Sequence, residues 1–422
     1  MRDFYDIVVV GGGHSGVEAA FSAHKFGLSV ALVSKSKKSL GRMSCNPSIG
    51  GLAKSRVVRE VDALGGVLPR AADMSATQYR VLNRRKGPAV QSTRAQCDRK
   101  KYELSVQKIL DENSNVAIIE GSASELIIED GKIVGVVLSS GERIGAEAVV
   151  LATGTFLGGK IFIGDVEYPG GRIDENAETG LSESLKKMGL KILRFKTGTP
   201  PRIDGRTINY DNVRIQPGEE DYVPFSFDTM RKIPVDEQVP CYITYTTERT
   251  HRIIEKNLLK SALYGGKIVG IGPRYCPSIE VKVEKFPHHP RHIVFLEPEG
   301  IDTDEFYPNG VSNSLPEEVQ LEMLRSIPGL EDVEMTKPGY AVEYDVVEPT
   351  QVLPTLELRD YKKIFLAGQI LGTSGYEEAA GLGLLAGTNA ALSVLGKDMI
   401  TLPRYASYTG VMVDDLVFRG AD

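Results

Sequence analysis

The sequence predicts an α/β protein built on a Rossmann-like dinucleotide-binding domain, with a second α/β domain inserted into it. A buried strand, a glycine-rich turn and a helix follow one another at the N-terminus. Two more strand-to-glycine turns come far along the chain, and the stretch before the last of them differs in composition. With 422 residues, 41% of them hydrophobic, the chain is long enough for two or three domains with cores of their own.

The first unit reads strand, turn, helix, strand. The apolar run at 7–10 leads directly into GGGHSG at 11–16, a helical pattern continues to Gly27, and a second apolar run occupies 29–33. A GxGxxG pattern is specific for dinucleotides only in this βαβ context. We therefore prefer a dinucleotide site here over a glycine turn that binds nothing.

Each glycine of the motif has a physical task. Gly11 permits the tight turn, Gly13 lets the backbone approach a pyrophosphate, and Gly16 allows the helix to pack closely on the strand. The pyrophosphate then meets free N–H groups at the helix N-terminus. The carboxylate expected after the second strand is replaced by SKS at 34–36, so Ser34 or backbone groups must hold the adenosine end. The motif alone does not distinguish FAD from NAD.

Two later segments favour FAD. The runs at 148–155 (AVVLATGT) and 364–369 (IFLAGQ) are strands that enter glycine turns, and the second leads into a helix of small residues at 377–383. Such a turn can bring backbone donors to the flavin end of a long cofactor. Each run alone is typical of a core strand, but the three pieces together predict a flavoprotein of the two-dinucleotide, glutathione-reductase-like type.

These pieces also predict the domain organisation. Residues 1–199 and 340–395 are expected to form a discontinuous FAD-binding domain, because parts of one site lie on both sides of a stretch with prolines, acids and short β runs. That stretch, 200–339, is predicted to be the inserted domain on the nicotinamide and substrate side. Residues 396–422 are expected to begin a C-terminal helical extension.

The composition restricts the cellular compartment and the kinds of binding partner that we expect. No run of about 18 apolar residues exists, so we expect no membrane span, and the N-terminus has no signal-peptide architecture. The four cysteines lie far apart without paired metal-ligand spacing, which indicates reduced thiols in the cytoplasm and neither a disulfide framework nor a metal site. The net charge of −6 argues against a surface that binds a polyanion everywhere.

A local basic region lies at 80–101, where eight lysines and arginines accompany one acid, Asp98. Charge asymmetry of this kind can form the electrostatic footprint for phosphate groups. On charge alone, however, a solvated and mixed helical face is the preferred interpretation.

Cys45 precedes a predicted helix. Apolar residues at helical spacing would share one face, and the glycines at 65–66 would end the helix. That face comprises Ala53, Val57, Val61 and Leu64.

Cys276 precedes Pro277, which suits the first position of a helix. A thiol near that N-cap and beside Arg274 should ionise more readily, and the thiolate is the nucleophile. Free cysteine is usually a small buried hydrophobe, which is our interpretation of Cys97 and Cys241.

The chain resembles the MnmG family, also called GidA. The resemblance is carried, in one order along residues 7–415, by GGGHSGVEAA, MSCNPSIGGLAK, LNRRKGPAV, TRAQCDRKKY, KTGTPPRID, GPRYCPSIE, YPNG and AGQILGTSGYEEAAGLGLLAG. It implies FAD as cofactor, NADH as reductant and methylene-tetrahydrofolate as one-carbon donor. It further implies a homodimer that acts with the GTPase MnmE to add a carboxymethylaminomethyl or aminomethyl group to carbon five of the wobble uridine in certain tRNAs.

The resemblance also implies site residues. The expected FAD contacts are Gly11, Gly12, Gly13, His14, Ser15, Gly16, Ala123, Gly154, Gly368 and Gln369. The nicotinamide or catalytic region is expected at 272–286 and includes Gly272, Pro273 and Arg274. The expected contacts to the tRNA backbone are Arg84, Arg85, Lys86 and Arg94.

The implied chemistry assigns roles to the two cysteines. The thiolate of Cys276, by preference, adds to carbon six of the uracil, which makes carbon five nucleophilic towards the one-carbon unit. Cys45 acts in proton transfer or is the alternative nucleophile. The redox chemistry belongs to the flavin.

The sequence departs from the family at its end. Members continue into a long helical domain associated with MnmE contact and tRNA docking, whereas this chain stops at Asp422. One alternative is therefore a folate- and FAD-dependent RNA uridine methyltransferase like TrmFO, whose length fits better. Another is a flavin-bound module without tRNA chemistry.

Overall fold

The computed structural model describes residues 2–272 and 277–420. The strands are β1 Phe4–Val10, β2 Val30–Ser34, β3 Ser48–Gly50, β4 Ala76–Leu82, β5 Ser92–Cys97, β6 Ala117–Glu120, β7 Ala123–Glu129, β8 Lys132–Leu138, β9 Arg143–Leu151, β10 Lys160–Ile163, β11 Val166–Pro169, β12 Ile192–Thr199, β13 Arg202–Asp204, β14 Arg214–Gln216, β15 Cys241–Tyr245, β16 Ile293–Pro298, β17 Glu305–Asn309, β18 Met335–Lys337, β19 Tyr340–Val347 and β20 Ile364–Leu366. The helices are α1 His14–His24, α2 Lys54–Ala63, α3 Leu68–Ser75, α4 Arg99–Asn113, α5 Gly180–Lys187, α6 Glu248–Lys256, α7 Ile279–Lys285, α8 Glu317–Leu324, α9 Tyr376–Val394 and α10 Tyr408–Arg419.

The main sheet confirms the predicted Rossmann-like fold. Strands β6, β2, β1 and β9 lie side by side and parallel. The last part of β9 pairs in parallel with β20, and its first part pairs with the antiparallel hairpin of β8 and β7. Val10 lies opposite Val33 and Leu151, so β1, β2 and β9 end together. All three turns that follow them therefore meet at one edge of the sheet, where ligands of such sheets bind.

Helix α9 packs against α1 with almost no side chain between them. A Cβ atom built on Gly383 would lie 2.1 Å from the Ser15 carbonyl oxygen, and one on Gly387 would lie 2.1 Å from that of Ala19. The contacts occur in the same order on both helices, so the helices run in the same direction. The early glycine turn and the late segment are thereby held at the same edge of the sheet.

The middle of the chain forms a separate sheet and core. Thr199 at the end of β12 lies opposite Tyr340 at the start of β19, so the chain leaves and returns at adjacent residues. Between them lies an antiparallel sheet in the order β14-β15-β16-β17-β13-β18, which covers a core including Ile254, Val294 and Met323. The predicted boundaries at 199 and 340 fall on this pairing, and the division into domains stays a prediction.

Two local predictions are corrected. Helix α2 buries Val57 and Val61 as predicted. Ala53 is the exposed N-cap and Leu64 is the C-cap and 52% exposed, so neither belongs to the buried face. Helix α7 begins at Ile279, because Ser278 is still extended and the Ile279 N–H donates to the Ser312 carbonyl outside the helix. Pro277 is therefore not the first helical residue. Of the helices in the described ranges, none combines the length and hydropathy required to cross a bilayer.

Candidate functional site

A long cleft opens at the edge of the main sheet where β1, β2, β9 and β20 end. Its walls come from the glycine turn, the segment around Cys45, the turn after β9, the start of α9 and a four-stranded sheet in the order β11-β10-β19-β12. The lining includes Gly11, Gly12, Gly13, His14, Ser15, Ser34, Lys35, Arg42, Cys45, Ala123, Thr153, Gly154, Phe156, Arg172, Thr199, Tyr340, Gln369, Gly375 and Tyr376. The cleft thus collects residues from positions 11 to 376 of the chain.

The glycine turn is shaped to receive a phosphate group. Gly11 has φ +112°, and a Cβ on Gly16 would lie 1.7 Å from the Gly11 carbonyl oxygen, so neither position admits a side chain. A Cβ on Gly13 would meet no atom within 4 Å and would project into the cleft. Helix α1 begins there without an acidic residue in its first turn. Its free N–H groups and its dipole favour a bound anion.

Two polar atoms beside this turn lack partners. Ser15 Oγ and Thr153 Oγ1 are buried and have no hydrogen-bond partner within the described residues, although both residues line the cleft. Buried polar groups are normally satisfied, so these hydroxyls fit a ligand with acceptor oxygens. The residues present are therefore suited to the pyrophosphate of a dinucleotide.

The other predicted cofactor residues do not all lie at the cleft. Ala123, Gly154 and Gln369 line the cleft. Gly368 does not line the cleft and instead packs against Ser15. A Cβ atom built on Gly368 would lie only 2.8 Å from the Cβ of Ser15. Gly272 is exposed and does not line the cleft. Pro273, Arg274 and Cys276 lie outside the described residues.

Cys45 lies on the wall of the cleft with its backbone and sulfur both engaged. Its N–H donates to Tyr376 Oη at 2.6 Å, and its sulfur is 3.0 Å from Tyr307 Oη. Its carbonyl oxygen accepts hydrogen bonds from Arg99 and from Arg202. Sequence reasoning found Cys45 but assigned no role to the two tyrosines or to Arg202.

A buried ion-pair network anchors this segment. Glu299 pairs with Arg202 and, at 3.0 Å, with Arg99, and the exposed fractions of the Glu299 and Arg202 side chains are only 7% and 8%. Glu299 follows β16 of the middle sheet, whereas Arg99 begins α4. The network therefore joins the two parts of the chain at the carbonyl of Cys45.

His14 is held neutral. Burial lowers its pKa to about 3, its ring stacks on that of Tyr376 at 4.5 Å, and its Nε2 is buried without a partner. The folded-state pKa of His14 lies below its usual value of 6.5. The stability that depends on a neutral His14 is therefore fully present above pH 6.5 and is lost as the pH falls towards 3.

We expect a His14→Asn variant to lose less stability than the wild type on acidification. The measurement is the melting temperature at pH 7.5 and at pH 5.0, with His24→Asn as the control for a histidine that is partly exposed. Equal acid-induced losses in the wild type and the His14 variant would contradict a buried, neutral imidazole.

The basic region does not form a helical face. Arg80 and Arg94 lie on β4 and β5, only residues from Arg99 onwards are helical, and the turn at 83–91 connects them. The Arg94 side chain, 21% exposed, donates to Glu297 at 2.5 Å and to Ser48. Its guanidinium is thus engaged inside the protein.

The tip of the turn carries basic side chains that are exposed to solvent. Arg84 pairs with Glu219 at 2.7 Å, whereas Arg85 and Lys86 are exposed, and within the described ranges their side chains form no hydrogen bond or ion pair. Within the turn, these two side chains are therefore accessible to a phosphate group, as are the exposed Lys100 and Lys101 at the start of α4.

The remaining described cysteines are inert. Cys97 and Cys241 are almost fully buried, and burial raises the pKa of the Cys97 thiol to about 12 and that of Cys241 still further above its ordinary value. Both observations fit the structural roles expected from the sequence.

Known proteins resemble this chain along nearly its whole length. "tRNA uridine 5-carboxymethylaminomethyl modification enzyme MnmG" of Caldicellulosiruptor saccharolyticus is 52% identical over 418 residues, which are 99% of this chain and 66% of that protein. The protein of the same name from Aquifex aeolicus is 51% identical, over 99% of this chain and 69% of its own length. The chain thus spans about two thirds of the length of the curated relatives it matches.

A solved structure shows the same fold. Aquifex aeolicus GidA superposes with a TM-score of 0.95 and 51% identity, covering 100% of this chain and 71% of that one. The family model of "Glucose inhibited division protein A" matches residues 6–398. The chain, with its glycine turn, late helix and Cys45 segment arranged around one cleft, therefore belongs to the glucose-inhibited division protein A family, GidA or MnmG.

Proposed function

We propose that this protein is the FAD- and NADH-dependent component of an enzyme that modifies carbon five of the wobble uridine in tRNA. The group added is carboxymethylaminomethyl or aminomethyl, with methylene-tetrahydrofolate as the one-carbon donor. The observation that carries the proposal is the cleft itself, which is lined by both a dinucleotide cradle and a cysteine. The names of the relatives supply the substrate class.

FAD is the cofactor that the cleft favours. The turn at 11–16 and the start of α1 would hold its pyrophosphate, with Ser15 and Thr153 as hydroxyl donors. Gln369 and the residues before α9 would face its flavin end. When bound there, the flavin supplies the redox chemistry that the side chains cannot.

For the two cysteines we propose the roles that the family resemblance implies. Cys276 is the preferred nucleophile towards carbon six of the uracil, and adding its sulfur there moves the π electrons of the double bond to carbon five. Cys45 lies at the cleft and serves proton transfer or acts as the alternative nucleophile. Phosphate contacts would position the tRNA, while recognition of an unstacked anticodon base would supply specificity.

Partners follow from the same proposal. We infer a cytoplasmic homodimer that acts together with the GTPase MnmE. Reduced cysteines are consistent with the cytoplasm, and Cys45, Cys97 and Cys241, the cysteines in the described ranges, are all free thiols.

An anaerobic reconstitution tests the proposal. Purified protein with bound FAD is mixed with NADH and followed by the loss of flavin absorbance. Then MnmE, GTP, methylene-tetrahydrofolate, glycine or ammonium, and unmodified tRNA are added, and the nucleosides are analysed by mass. A nitrogen-containing one-carbon adduct at the wobble uridine supports the proposal. A methyl group alone would favour the TrmFO-like alternative, and flavin that NADH cannot reduce would favour a binding module.

The exposed turn gives a separate prediction. Reversing Arg85 and Lys86 to glutamate should weaken tRNA binding by roughly tenfold or more and should flatten the salt dependence of the affinity, because phosphate neutralisation releases counterions. The measurement is the tRNA dissociation constant between about 50 and 200 mM salt.

The matched control reverses Lys186 and Lys187. Both are exposed on α5, so the same change in net charge is made away from the turn. Equal losses of affinity in the two double variants would show a general charge effect and would remove the turn from the interface.

A further inference from the structure

We propose that Tyr307 is a positioning residue for Cys45, and that its hydroxyl donates a hydrogen bond that stabilises the sulfur when the thiol has lost its proton. This rests on the proposed function only in that Cys45 is taken to act in the cleft. The juxtaposition crosses the two parts of the chain, since Tyr307 lies on β17 of the middle sheet and Cys45 lies between β2 and β3.

The phenol is directed at the sulfur alone. Tyr307 Oη is 3.0 Å from Cys45 Sγ, and among the described residues it has no other hydrogen-bond partner. The side chain is 3% exposed, so water does not compete for the hydroxyl. Cys97 differs, because its thiol is fully buried and donates to the Ala72 carbonyl oxygen at 3.8 Å.

The direction of the hydrogen bond follows from the surroundings. Either group can donate while the thiol is neutral, but a deprotonated sulfur has no proton to give, so the phenol must then be the donor; burial raises the pKa of Tyr307 well above its ordinary value of 10, so its proton is retained. The Arg202 guanidinium lies 4.5 Å from the centre of the Tyr307 ring and fixes the ring by a cation–π contact. A hydrogen-bond donor is therefore placed at the sulfur, and the Arg202 guanidinium contacts both the ring of that donor and the Cys45 carbonyl oxygen.

The backbone of Cys45 is fixed beside this donor. Tyr376 holds its N–H, and Arg99 and Arg202 hold its carbonyl oxygen. These four hydrogen-bonded contacts, counted with Tyr307, restrain both the backbone and the sulfur. A merely structural cysteine would need no such arrangement on the wall of a cleft.

The test compares alkylation of Cys45 in the FAD-loaded protein. Iodoacetamide labelling of the Cys45 peptide is followed by mass spectrometry between pH 6 and 10, in the wild type, Tyr307→Phe and Tyr222→Phe. Tyr307→Phe should raise the pH of half-maximal labelling by about one unit and slow labelling at pH 7 roughly tenfold, as expected for a lost hydrogen bond to a charged group. Tyr222→Phe removes another buried hydroxyl, which accepts from the Ile233 N–H, and should behave like the wild type.

Two further variants guard against misinterpretation. Tyr307→His keeps a donor and should restore much of the wild-type profile, whereas Tyr307→Met removes the donor and should repeat the effect of Tyr307→Phe. An unchanged profile in both donor-free variants would overturn the inference. The two proposals fail in different experiments. Absence of tRNA modification by the wild type would contradict the proposed function, whereas the labelling profile of Cys45 tests only the role of Tyr307.

Discussion

Replacing Gly13 with valine is expected to abolish FAD binding while leaving the fold intact. Gly13 has φ −74° and ψ −174°, an extended conformation that valine readily adopts. Its Cβ would meet no protein atom within 4 Å, so the added side chain would occupy only the space of the ligand. We expect the FAD dissociation constant to rise by about a hundredfold or more, which corresponds to about 3 kcal/mol.

The measurement is flavin content after purification, together with titration of the apoprotein by flavin fluorescence. Gly87→Val is the matched control, because Gly87 is also extended and unobstructed but lies in the exposed turn. Normal FAD affinity in the Gly13 variant would show that the pyrophosphate does not approach this turn. A lowered melting temperature of its apoprotein would show that the position serves folding.

Replacing Glu299 with alanine is expected to cost about 3 to 5 kcal/mol of folding free energy, because it leaves two largely buried arginines without their carboxylate. Glu299 pairs with both Arg99 and Arg202. Since the same arginines hold the Cys45 carbonyl, the variant should also change the labelling rate of Cys45. Thermal unfolding and the Cys45 labelling assay measure the two effects.

The control for this prediction is Glu237→Ala. Glu237 pairs with Arg231 at the surface, where the side chains are 53% and 78% exposed, and exposed pairs contribute little. A melting temperature as low in the control as in the Glu299 variant would contradict a special role for the buried network.

The parts of the fold set by local sequence were predictable. The apolar run before Gly11 and the glycines that follow specify the first βαβ unit, because strand burial and turn geometry act within a few residues. The run of small residues predicted helix α9. It did not show why those residues are small, which is that Gly383 and Gly387 contact α1 directly.

The surroundings of Cys45 could not be predicted in the same way. Tyr307 and Tyr376 meet it from positions 262 and 331 residues away, and no periodicity connects such distant residues. In the sequence, Glu299 stands after a β run, a position that is typical of an exposed acid. Its burial becomes visible only in the structure, where the end of β16 packs against the start of α4. The sequence motifs shared with the family indicated that these segments matter for function, but they did not show which side chains contact Cys45.

The pairing of α1 with α9 has a consequence for biosynthesis. Ser22 on α1 donates to the Leu384 carbonyl, a contact that spans 362 residues. Helix α1 must therefore wait for α9, synthesised more than 300 residues later, before its face is covered, while the middle sheet, closed within 202–337, can form earlier. At about 5–20 residues per second, the nascent dinucleotide domain stays incomplete for roughly 20 to 70 seconds, during which it is a natural client for chaperones.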